Sequence, residues 1–202
     1  MPNSKVSVDV TFAPEGQWTN PFVDVAEDAW YYDAVQYVNE NGLMAGTSAN
    51  TFAPDRTTTR GMIVTVLYRL ENQPSTSAAS FTDVASGAYY ANAVAWANAN
   101  GIVSGYGSGK FGPNDKVTRE QLAAILYRYA QYKKYDVSVG EDTNILSYDD
   151  AQSISTYAIP AIQWACGAGV VTGKSGSKLD PKGNATRAEV AAMLMRFCEN
   201  VK

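Results

Sequence analysis

The sequence contains no histidine, the side chain that most often acts as a general base near neutral pH. This absence excludes Ser-His and Cys-His nucleophile pairs and most zinc and copper sites. Cysteine is scarce too, since Cys166 and Cys198 are the only two and form no CxxC pair. A disulfide between them is one alternative, and two separate, half-buried thiols are the favoured one. We therefore expect neither a metal nor another cofactor.

Long hydrophobic runs and a large net charge are also missing. No apolar stretch approaches the ~20 residues that a membrane-spanning helix needs, and the formal net charge of −4 argues against a nucleic-acid partner. Hydrophobic residues still make up 46% of the chain, enough for a buried core. Because residues 1–5 do not lead into a signal-peptide core, we expect a cytosolic protein or a fragment of an exported one. The repeats described next favour the fragment.

A Thr-Arg pair occurs three times, each time before an apolar run. The copies are Thr59-Arg60, Thr118-Arg119 and Thr186-Arg187. Threonine is a good helix N-cap, and Gln121 and Glu189 complete capping boxes in the second and third copies. Met62 takes that position in the first copy, which keeps only the cap. The pattern predicts a helix that begins at each arginine.

The three arginines are unfavourably placed for the helices that they begin. A cation beside the positive end of a helix dipole costs roughly 0.3–1 kcal/mol, and its repetition indicates another role. Free backbone amides, the dipole and a guanidinium together can bind a carboxylate or a phosphate. The alternative for each arginine is a structural contact with a nearby Asp or a loop carbonyl.

Other landmarks recur in one order around the Thr-Arg pairs. Each repeat opens with an aromatic and an acidic residue, and a second aromatic residue precedes a short apolar helix. That helix ends at a glycine suited to a left-handed C-cap, and another glycine follows. The acidic residues are Asp24, Asp83 and Asp150; the pre-helix aromatics are Trp30, Tyr89 and Tyr157; the helix-ending glycines are Gly42, Gly101 and Gly169; and the second glycines are Gly46, Gly105 and Gly173.

These repeats predict an all-α fold of three helix–loop–helix units. The units span residues 21–75, 80–135 and 147–199, after a short extended leader, 1–20, that is a linker or the tail of an upstream domain. Alternation between residues 6 and 12 predicts a short strand in the leader. One unit of ~50 residues cannot bury its apolar stripe alone, whereas three units around a shared axis can. We expect the Thr-Arg helices to face one another at the centre.

The combined pattern resembles the S-layer homology (SLH) domain, in three tandem copies from residue 22 to about residue 198. The resemblance is carried by Phe22-Val23-Asp24-Val25, Phe81-Thr82-Asp83-Val84, the paired glycines, Phe52-Ala53-Pro54, Phe111-Gly112-Pro113 and the Thr-Arg pairs. It implies a three-pronged, pseudo-threefold arrangement around a central helix bundle. It also implies an extracellular module, monomeric here, that anchors an exported protein non-covalently to the cell wall of a bacterium, usually Gram-positive.

The resemblance further implies a ligand, a secondary cell-wall polysaccharide with pyruvate ketals on N-acetylmannosamine, held in grooves between repeats. The Thr-Arg arginines would contact the acidic group, and the pre-helix aromatics would stack on a sugar face unless they pack in the core. The opening aspartates would accept hydroxyl hydrogen bonds unless they cap a helix or turn. The second glycines would let the backbone approach the ligand or adopt a positive φ.

The copies depart unevenly from the family pattern. The first has Gly61 and Met62 after its Thr-Arg pair, and the third opens with Tyr148. The third also has Ala158 where the others have tyrosine, and Pro160, which a helix tolerates only in its first turn. We expect the groove served by Arg119 to be the best site.

Other functions explain less of the sequence. Without histidine, an enzyme would need a carboxylate pair acting on a glycoside, and repeat-equivalent Asp24 and Asp83 in like environments cannot divide acid and base roles. Gly173-Lys174-Ser175 matches the end of a P-loop but falls in the ordinary repeat loop. We expect a non-catalytic module. The alternatives are a structural or protein–protein interaction module of a surface layer, or the anchor of a larger extracellular glycoside-acting enzyme.

Overall fold

The computed structural model describes residues 18–77, 81–174 and 177–202, which contain six α-helices and no β-strand. The helices are α1 (Tyr32–Glu40), α2 (Arg60–Leu70), α3 (Ala91–Ala99), α4 (Arg119–Tyr132), α5 (Ile159–Gly167) and α6 (Arg187–Asn200). Short 3-10 turns occupy Ser138–Gly140, Ala151–Ser153 and Thr156–Ala158. The all-α fold with two helices in each repeat is confirmed, while the strand expected at residues 6–12 lies outside the described residues.

The helix starts follow the capping pattern of the sequence. α2, α4 and α6 begin at the arginine of each Thr-Arg pair. Thr118 and Thr186 form complete capping boxes, whereas Thr59 only accepts a hydrogen bond from the amide of Met62, at 3.4 Å. The difference expected between the first copy and the other two is therefore confirmed.

The ends of the first helices also agree with the sequence. Gly42, Gly101 and Gly169 follow α1, α3 and α5 with φ of 66°, 70° and 69°, the left-handed region that glycine enters without strain. Pro160 lies in the first turn of α5, where its missing N–H removes no helical hydrogen bond.

Each Thr-Arg helix packs on the first helix of the next repeat. α2 packs on α3, α4 packs on α5, and α6 packs back on α1. The most extensive helix contact of each Thr-Arg helix is therefore with the next repeat, and the expectation that the three face one another at the centre stays a prediction. The interfaces merge into one core, in which Phe197 contacts Tyr129, Tyr135 and Trp164 with ring centroids 5.6, 6.3 and 6.1 Å away.

Backbone hydrogen bonds at the helix starts run in the same cyclic order. The first two amides of each Thr-Arg helix donate to loop carbonyls of the next repeat, and the third repeat donates to the first. These pairs are Arg60 N to Asp115 O (3.0 Å), Gly61 N to Pro113 O (2.9 Å), Arg119 N to Gly183 O (2.9 Å), Glu120 N to Pro181 O (3.0 Å), Arg187 N to Arg56 O (2.9 Å) and Ala188 N to Pro54 O (3.0 Å). The amides predicted to be free for an anion are already bonded, and that prediction is wrong.

None of the helices in the described ranges has the length and apolar character needed to cross a bilayer.

Candidate functional site

The Thr-Arg arginines extend their side chains into the loop of the next repeat. Each guanidinium donates from Nε and Nη2 to two loop carbonyls. The pairs are Arg60 to Phe111 O (3.0 Å) and Ser104 O (2.7 Å), Arg119 to Leu179 O (2.8 Å) and Thr172 O (3.1 Å), and Arg187 to Phe52 O (2.6 Å) and Ala45 O (2.6 Å). The three residues are only 8%, 5% and 6% exposed. The loop-carbonyl alternative therefore describes all three arginines.

Two of these buried cations form no ion pair with a described carboxylate. Burial lowers the pKa of Arg60 and Arg187, although both guanidinium groups stay charged at any ordinary pH. Carbonyl dipoles and aromatic rings stabilise them instead, since Arg60 lies 4.5 Å from the ring centroid of Phe111 and Arg187 lies 4.4 Å from that of Phe52. Arg119 differs, because its Nη1 donates to Glu189 at 3.3 Å.

The opening aspartates hold the loops that the arginines bind. Each carboxylate accepts hydrogen bonds from two consecutive backbone amides of its own repeat. The pairs are Asp24 with Phe52 N (2.8 Å) and Ala53 N (2.7 Å), Asp83 with Phe111 N and Gly112 N (both 2.8 Å), and Asp150 with Leu179 N (2.8 Å) and Asp180 N (2.7 Å). The second residue of each pair has a positive φ, of 58°, 72° and 52°. The aspartates are loop caps, as in the alternative considered from the sequence.

Electrostatics agree with that role for two of the aspartates. Hydrogen bonds from the amides of Phe111 and Gly112 lower the pKa of Asp83. Partial burial would raise the pKa of Asp150, but the amide hydrogen bonds outweigh it, and the net shift is downward. The native loops therefore favour the charged carboxylates, whose hydrogen bonds fix the carbonyls that the arginines reach.

The second glycines are required by space and not by φ. None of Gly46, Gly105 and Gly173 has a positive φ, so the positive-φ alternative for these glycines is wrong. A Cβ would lie 2.7 Å from Phe22 at Gly46, 2.6 Å from Phe81 at Gly105 and 2.9 Å from Tyr148 at Gly173. In each repeat the opening aromatic ring packs on this glycine, and the carbonyl just before it accepts Nη2 of the arginine.

The pre-helix aromatics lie on the surface. Trp30 and Tyr89 are each 66% exposed and Tyr157 is 53% exposed, so the core-packing alternative is wrong for them. Trp30 and Tyr89 contact the tyrosine that follows each of them, whereas Tyr157 places its hydroxyl 3.4 Å from Glu120. Exposed aromatic rings of this kind provide flat apolar faces at little cost in side-chain entropy.

Two surface cavities bring together groups from three repeats. The cavity of about 210 Å³, here called the first groove, is lined by residues that include Met44, Gly46, Met62, Arg69, Tyr89 and Arg187. The cavity of about 500 Å³, here called the third groove, is lined by Trp30, Arg119, Gly173, Lys174, Glu189 and Arg196 among others. Each groove thus combines the glycine loop of one repeat, the buried arginine of the preceding repeat and the exposed aromatic of the following one.

The remaining candidates belong to neither groove. Arg60 lies 4.7 Å from the ring centroid of Tyr106, on the loop that contains Gly105. Tyr157 lies beside Glu120, whose carboxylate also accepts from Ser155 and from Lys182 at 2.7 Å. Arg60, Gly105 and Tyr157 are equivalent by repeat position to the buried arginine, the second glycine and the exposed aromatic that line each of the two grooves.

Sequence reasoning missed a second set of arginines, Arg69, Arg128 and Arg196. They stand at matched positions near the ends of the Thr-Arg helices, so the repeat register alone could have found them. Arg69 and Arg128 are exposed and Arg196 is half-buried. Arg69 lines the first groove and Arg196 the third, where they donate to Leu43 O and to Thr172 Oγ1, both at 3.1 Å.

The cysteines take no part in this arrangement. Cys166 and Cys198 are free, half-buried thiols, as favoured from the sequence, and no disulfide joins them. Burial raises the pKa of Cys166 to about 11, which keeps the thiol protonated and unreactive near neutral pH. Among the described residues, no group of three His, Cys, Asp or Glu could hold a metal ion.

Comparison with known families identifies this architecture. The family model described as "S-layer homology domain" matches residues 21–61, 80–123 and 147–191. The chain therefore belongs to the S-layer homology domain family, with three tandem copies.

Curated relatives include both surface proteins and enzymes. The chain is 33% identical to an amylopullulanase from Thermoanaerobacterium thermosulfurigenes over 91% of its own length and 10% of the relative's. It is 34% identical to an endoglucanase from Bacillus sp. (strain KSM-635), over 86% of the chain and 18% of the relative. It is 28% identical to an S-layer protein from Bacillus thuringiensis subsp. finitimus, over 87% and 21%. The chain thus spans only about a tenth to a fifth of these relatives.

Proposed function

We propose that this chain is a non-catalytic module that anchors an exported protein to the surface of a bacterium, by binding an anionic cell-wall polysaccharide in the grooves between its repeats. The observation that carries the proposal is the composition of the grooves. Each presents an exposed aromatic ring beside cationic side chains, in a concave surface built from three repeats.

Sugar chemistry fits this composition. A pyranose has an apolar face that stacks on an aromatic ring, and Trp30 and Tyr89 supply exposed rings at the groove walls. A pyruvate ketal adds a carboxylate, for which arginine is a suitable partner. The third groove also has the volume of a typical small-molecule site, ~300–1,000 Å³.

The roles proposed for the candidate residues differ from those that the sequence suggested. Asp24, Asp83 and Asp150 build the loops, and the buried arginines fix them, so direct ligand contact falls mainly to the aromatic rings, the exposed arginines and whichever guanidinium atoms stay unpaired. The second glycines contribute close-packed backbone at the groove floor.

The anchoring role rests on the kinds of protein in which related segments occur. The matched relatives named as S-layer proteins and as glycan-degrading enzymes share this segment, although it is a small part of each. A common segment among proteins with such different names fits attachment better than catalysis. On this proposal the chain acts outside the cell, on a wall of the Gram-positive type and as a monomer. The cyclic contacts between repeats support a pseudo-threefold arrangement.

Co-sedimentation with purified cell walls tests the proposal. The chain should sediment with untreated walls and lose most of its binding after mild acid has removed pyruvate ketals. Tyr89→Ala and Trp30→Ala should each weaken binding about tenfold, if stacking of a sugar on one ring is taken on the scale of base stacking, ~1–3 kcal/mol. Leu146→Ala is the matched control, because Leu146 is 71% exposed and lines neither groove.

Equal binding to treated and untreated walls would exclude recognition of the ketal. Binding that is unaffected by both aromatic substitutions would exclude the grooves as the site.

A further inference from the structure

We propose that the third residue of each Thr-Arg helix determines whether its groove accepts a carboxylate, so that the first groove takes an acidic sugar and the third groove a neutral one. This inference rests on the proposed function, and it concerns the division of specificity between Met62 in the first groove and Glu189 in the third.

In the first groove, a buried cation faces the cavity without an anionic partner. Arg187 lines the cavity, donates from Nε and Nη2 to loop carbonyls, and makes no hydrogen bond from Nη1 to any described residue. Arg69 lines the same cavity and uses one hydrogen bond, to Leu43 O. Met62, the third residue of α2, carries no charge, and no carboxylate lines this groove. An entering carboxylate would meet two guanidinium groups and no competing anion.

In the third groove, the chain supplies the anion itself. Glu189, the third residue of α6, accepts from Arg119 Nη1 at 3.3 Å and from Lys174 Nζ at 2.8 Å. Lys174 also contacts Asp180 at 2.8 Å. The side chains of Arg119 and Glu189 are only 6% and 8% exposed, so their ion pair is protected from solvent, while Lys174 and Asp180 lie nearer the surface. A sugar carboxylate would have to displace Glu189 or lie beside it, and both are unfavourable.

The difference does not lie in net charge. The first lining has two arginines, and the third has two arginines, a lysine and a glutamate, so both linings carry a formal charge of +2. The grooves differ in the partner of the buried arginine. In the third groove Arg119 pairs with a carboxylate, whereas in the first groove Arg187 has only backbone carbonyls as hydrogen-bond partners among the described residues. Specificity of this kind, with an internal counter-ion repelling the wrong ligand, is a common way to separate similar ligands.

The third residue of a Thr-Arg helix can be exchanged between Glu and Gln without loss of the capping box. A Glu or Gln at this position closes the capping box with the preceding threonine, and α4 does so with Gln121. Met62→Glu is therefore expected to preserve or raise stability while placing a carboxylate beside Arg187. Glu189→Gln keeps the capping box and removes the charge. Met62→Glu thus adds a charge at a position that can complete the capping box, whereas Glu189→Gln keeps the cap and gives up the ion pairs with Arg119 and Lys174.

Methionine methyl NMR can read the two grooves separately. Met44 and Met62 line the first groove, Met193 lines the third, and Met195 lines neither. The probes are a pyruvylated oligosaccharide released from cell wall and the same oligosaccharide after acid removal of pyruvate. In the unsubstituted protein, the pyruvylated probe should shift Met44 and Met62 at roughly tenfold lower concentration than Met193. The acid-treated probe should lose this preference for the first groove.

The two substitutions reverse the pattern. Met62→Glu should raise the concentration of pyruvylated probe that shifts Met44 by about tenfold or more, with an unfolding midpoint no lower than that of the unsubstituted protein. Glu189→Gln should lower the concentration that shifts Met193. Met195 should stay unshifted in every titration.

The outcomes separate this inference from the proposed function. If neither probe shifts any groove methyl, the proposed function fails. If the probes bind but Met62→Glu leaves the Met44 titration unchanged, or Glu189→Gln weakens the response of Met193 to the pyruvylated probe, the assignment of specificity to this position is overturned while groove binding stands.

Discussion

Two sets of side chains recur at matched positions in the three repeats, and the structure gives them opposite surroundings. The inner set is buried or bonded to loops and consists of Arg60, Arg119, Arg187, Asp24, Asp83 and Asp150. The outer set consists of Trp30, Tyr89, Tyr157, Arg69, Arg128 and Arg196, which are exposed or half-buried. Recurrence alone does not distinguish a residue that binds a ligand from one that holds the repeats together. Burial and the choice of hydrogen-bond partner do.

The inner set forms a continuous chain of contacts between repeats. Asp24 fixes the amide of Phe52, and the carbonyl of Phe52 accepts from Arg187 of the third repeat. The same sequence of contacts links the first repeat to the second and the second to the third. Loss of one link should therefore weaken an interface between repeats and not only one loop.

The largest expected effect comes from removing an inner arginine. Arg187→Ala leaves two loop carbonyls without their charged donor and should lower the free energy of unfolding by about 3 kcal/mol. Arg128→Ala, an exposed arginine of the outer set, should stay within about 0.5 kcal/mol of the unsubstituted protein. Urea unfolding measures both. Equal losses for the two variants would remove the distinction between the sets.

A somewhat smaller loss of stability is expected from a substitution in the loop whose carbonyls accept hydrogen bonds from Arg187. A Cβ at Gly46 would lie 2.7 Å from Phe22 and would clash with the carbonyl of Ser48, so Gly46→Ala should cost about 2 kcal/mol through overpacking. Gly87→Ala is the matched control, because a Cβ there has open space around it. Thermal unfolding should show a clear decrease for the first variant and little change for the second. A harmless Gly46→Ala would contradict the close packing of ring on loop.

The aspartates make part of the stability depend on pH. Because the pKa values of Asp83 and Asp150 are lowered in the folded protein, their contribution is present above the ordinary Asp pKa of about 4 and is lost as pH falls through the folded values. The double variant Asp83→Asn, Asp150→Asn should be less stable than the unsubstituted protein at pH 7. The gap should shrink below about pH 4. A gap that stays constant from pH 7 to pH 3 would mean that the carboxylate charges do not stabilise the loops.

The smallest change concerns the outer set and should affect binding alone. Arg69→Ala removes an exposed guanidinium from the first groove and should weaken binding to pyruvylated walls several-fold, by about 1 kcal/mol. Its unfolding midpoint should barely move. Arg128→Ala, outside both described grooves, provides the comparison. If Arg69→Ala lowered stability as much as Arg187→Ala, Arg69 would belong to the inner set.

Local features of the fold were readable from the sequence because their causes are local. The threonine caps, the left-handed glycines after the first helices and the tolerated position of Pro160 all follow from residues a few positions apart. The hydrogen-bond partners of the inner arginines could not be predicted from the sequence. Arg187 Nε donates to a carbonyl 135 positions away in the chain, and no local rule selects that partner over an external anion.

The candidate site was predicted in part. Periodicity showed that Trp30, Tyr89 and Tyr157 recur, but it could not show whether they face the core or the solvent, and their exposure had to come from the structure. Arg119 was expected to serve the best groove because its repeat departs least from the family pattern. That reasoning could not include Glu189, which belongs to the next repeat and forms an ion pair with Arg119 Nη1.

The central claim is that exposed aromatic rings in the grooves hold the wall polysaccharide while buried arginines hold the repeats together. The most direct test is the wall affinity of a Trp30→Ala, Tyr89→Ala double variant, measured beside its unfolding midpoint. The account predicts an affinity loss of about a hundredfold with an unchanged midpoint, because a wall polysaccharide that occupies both grooves loses two ring contacts of ~1.4 kcal/mol each. An unchanged affinity, or a loss explained by a lowered midpoint, would contradict it.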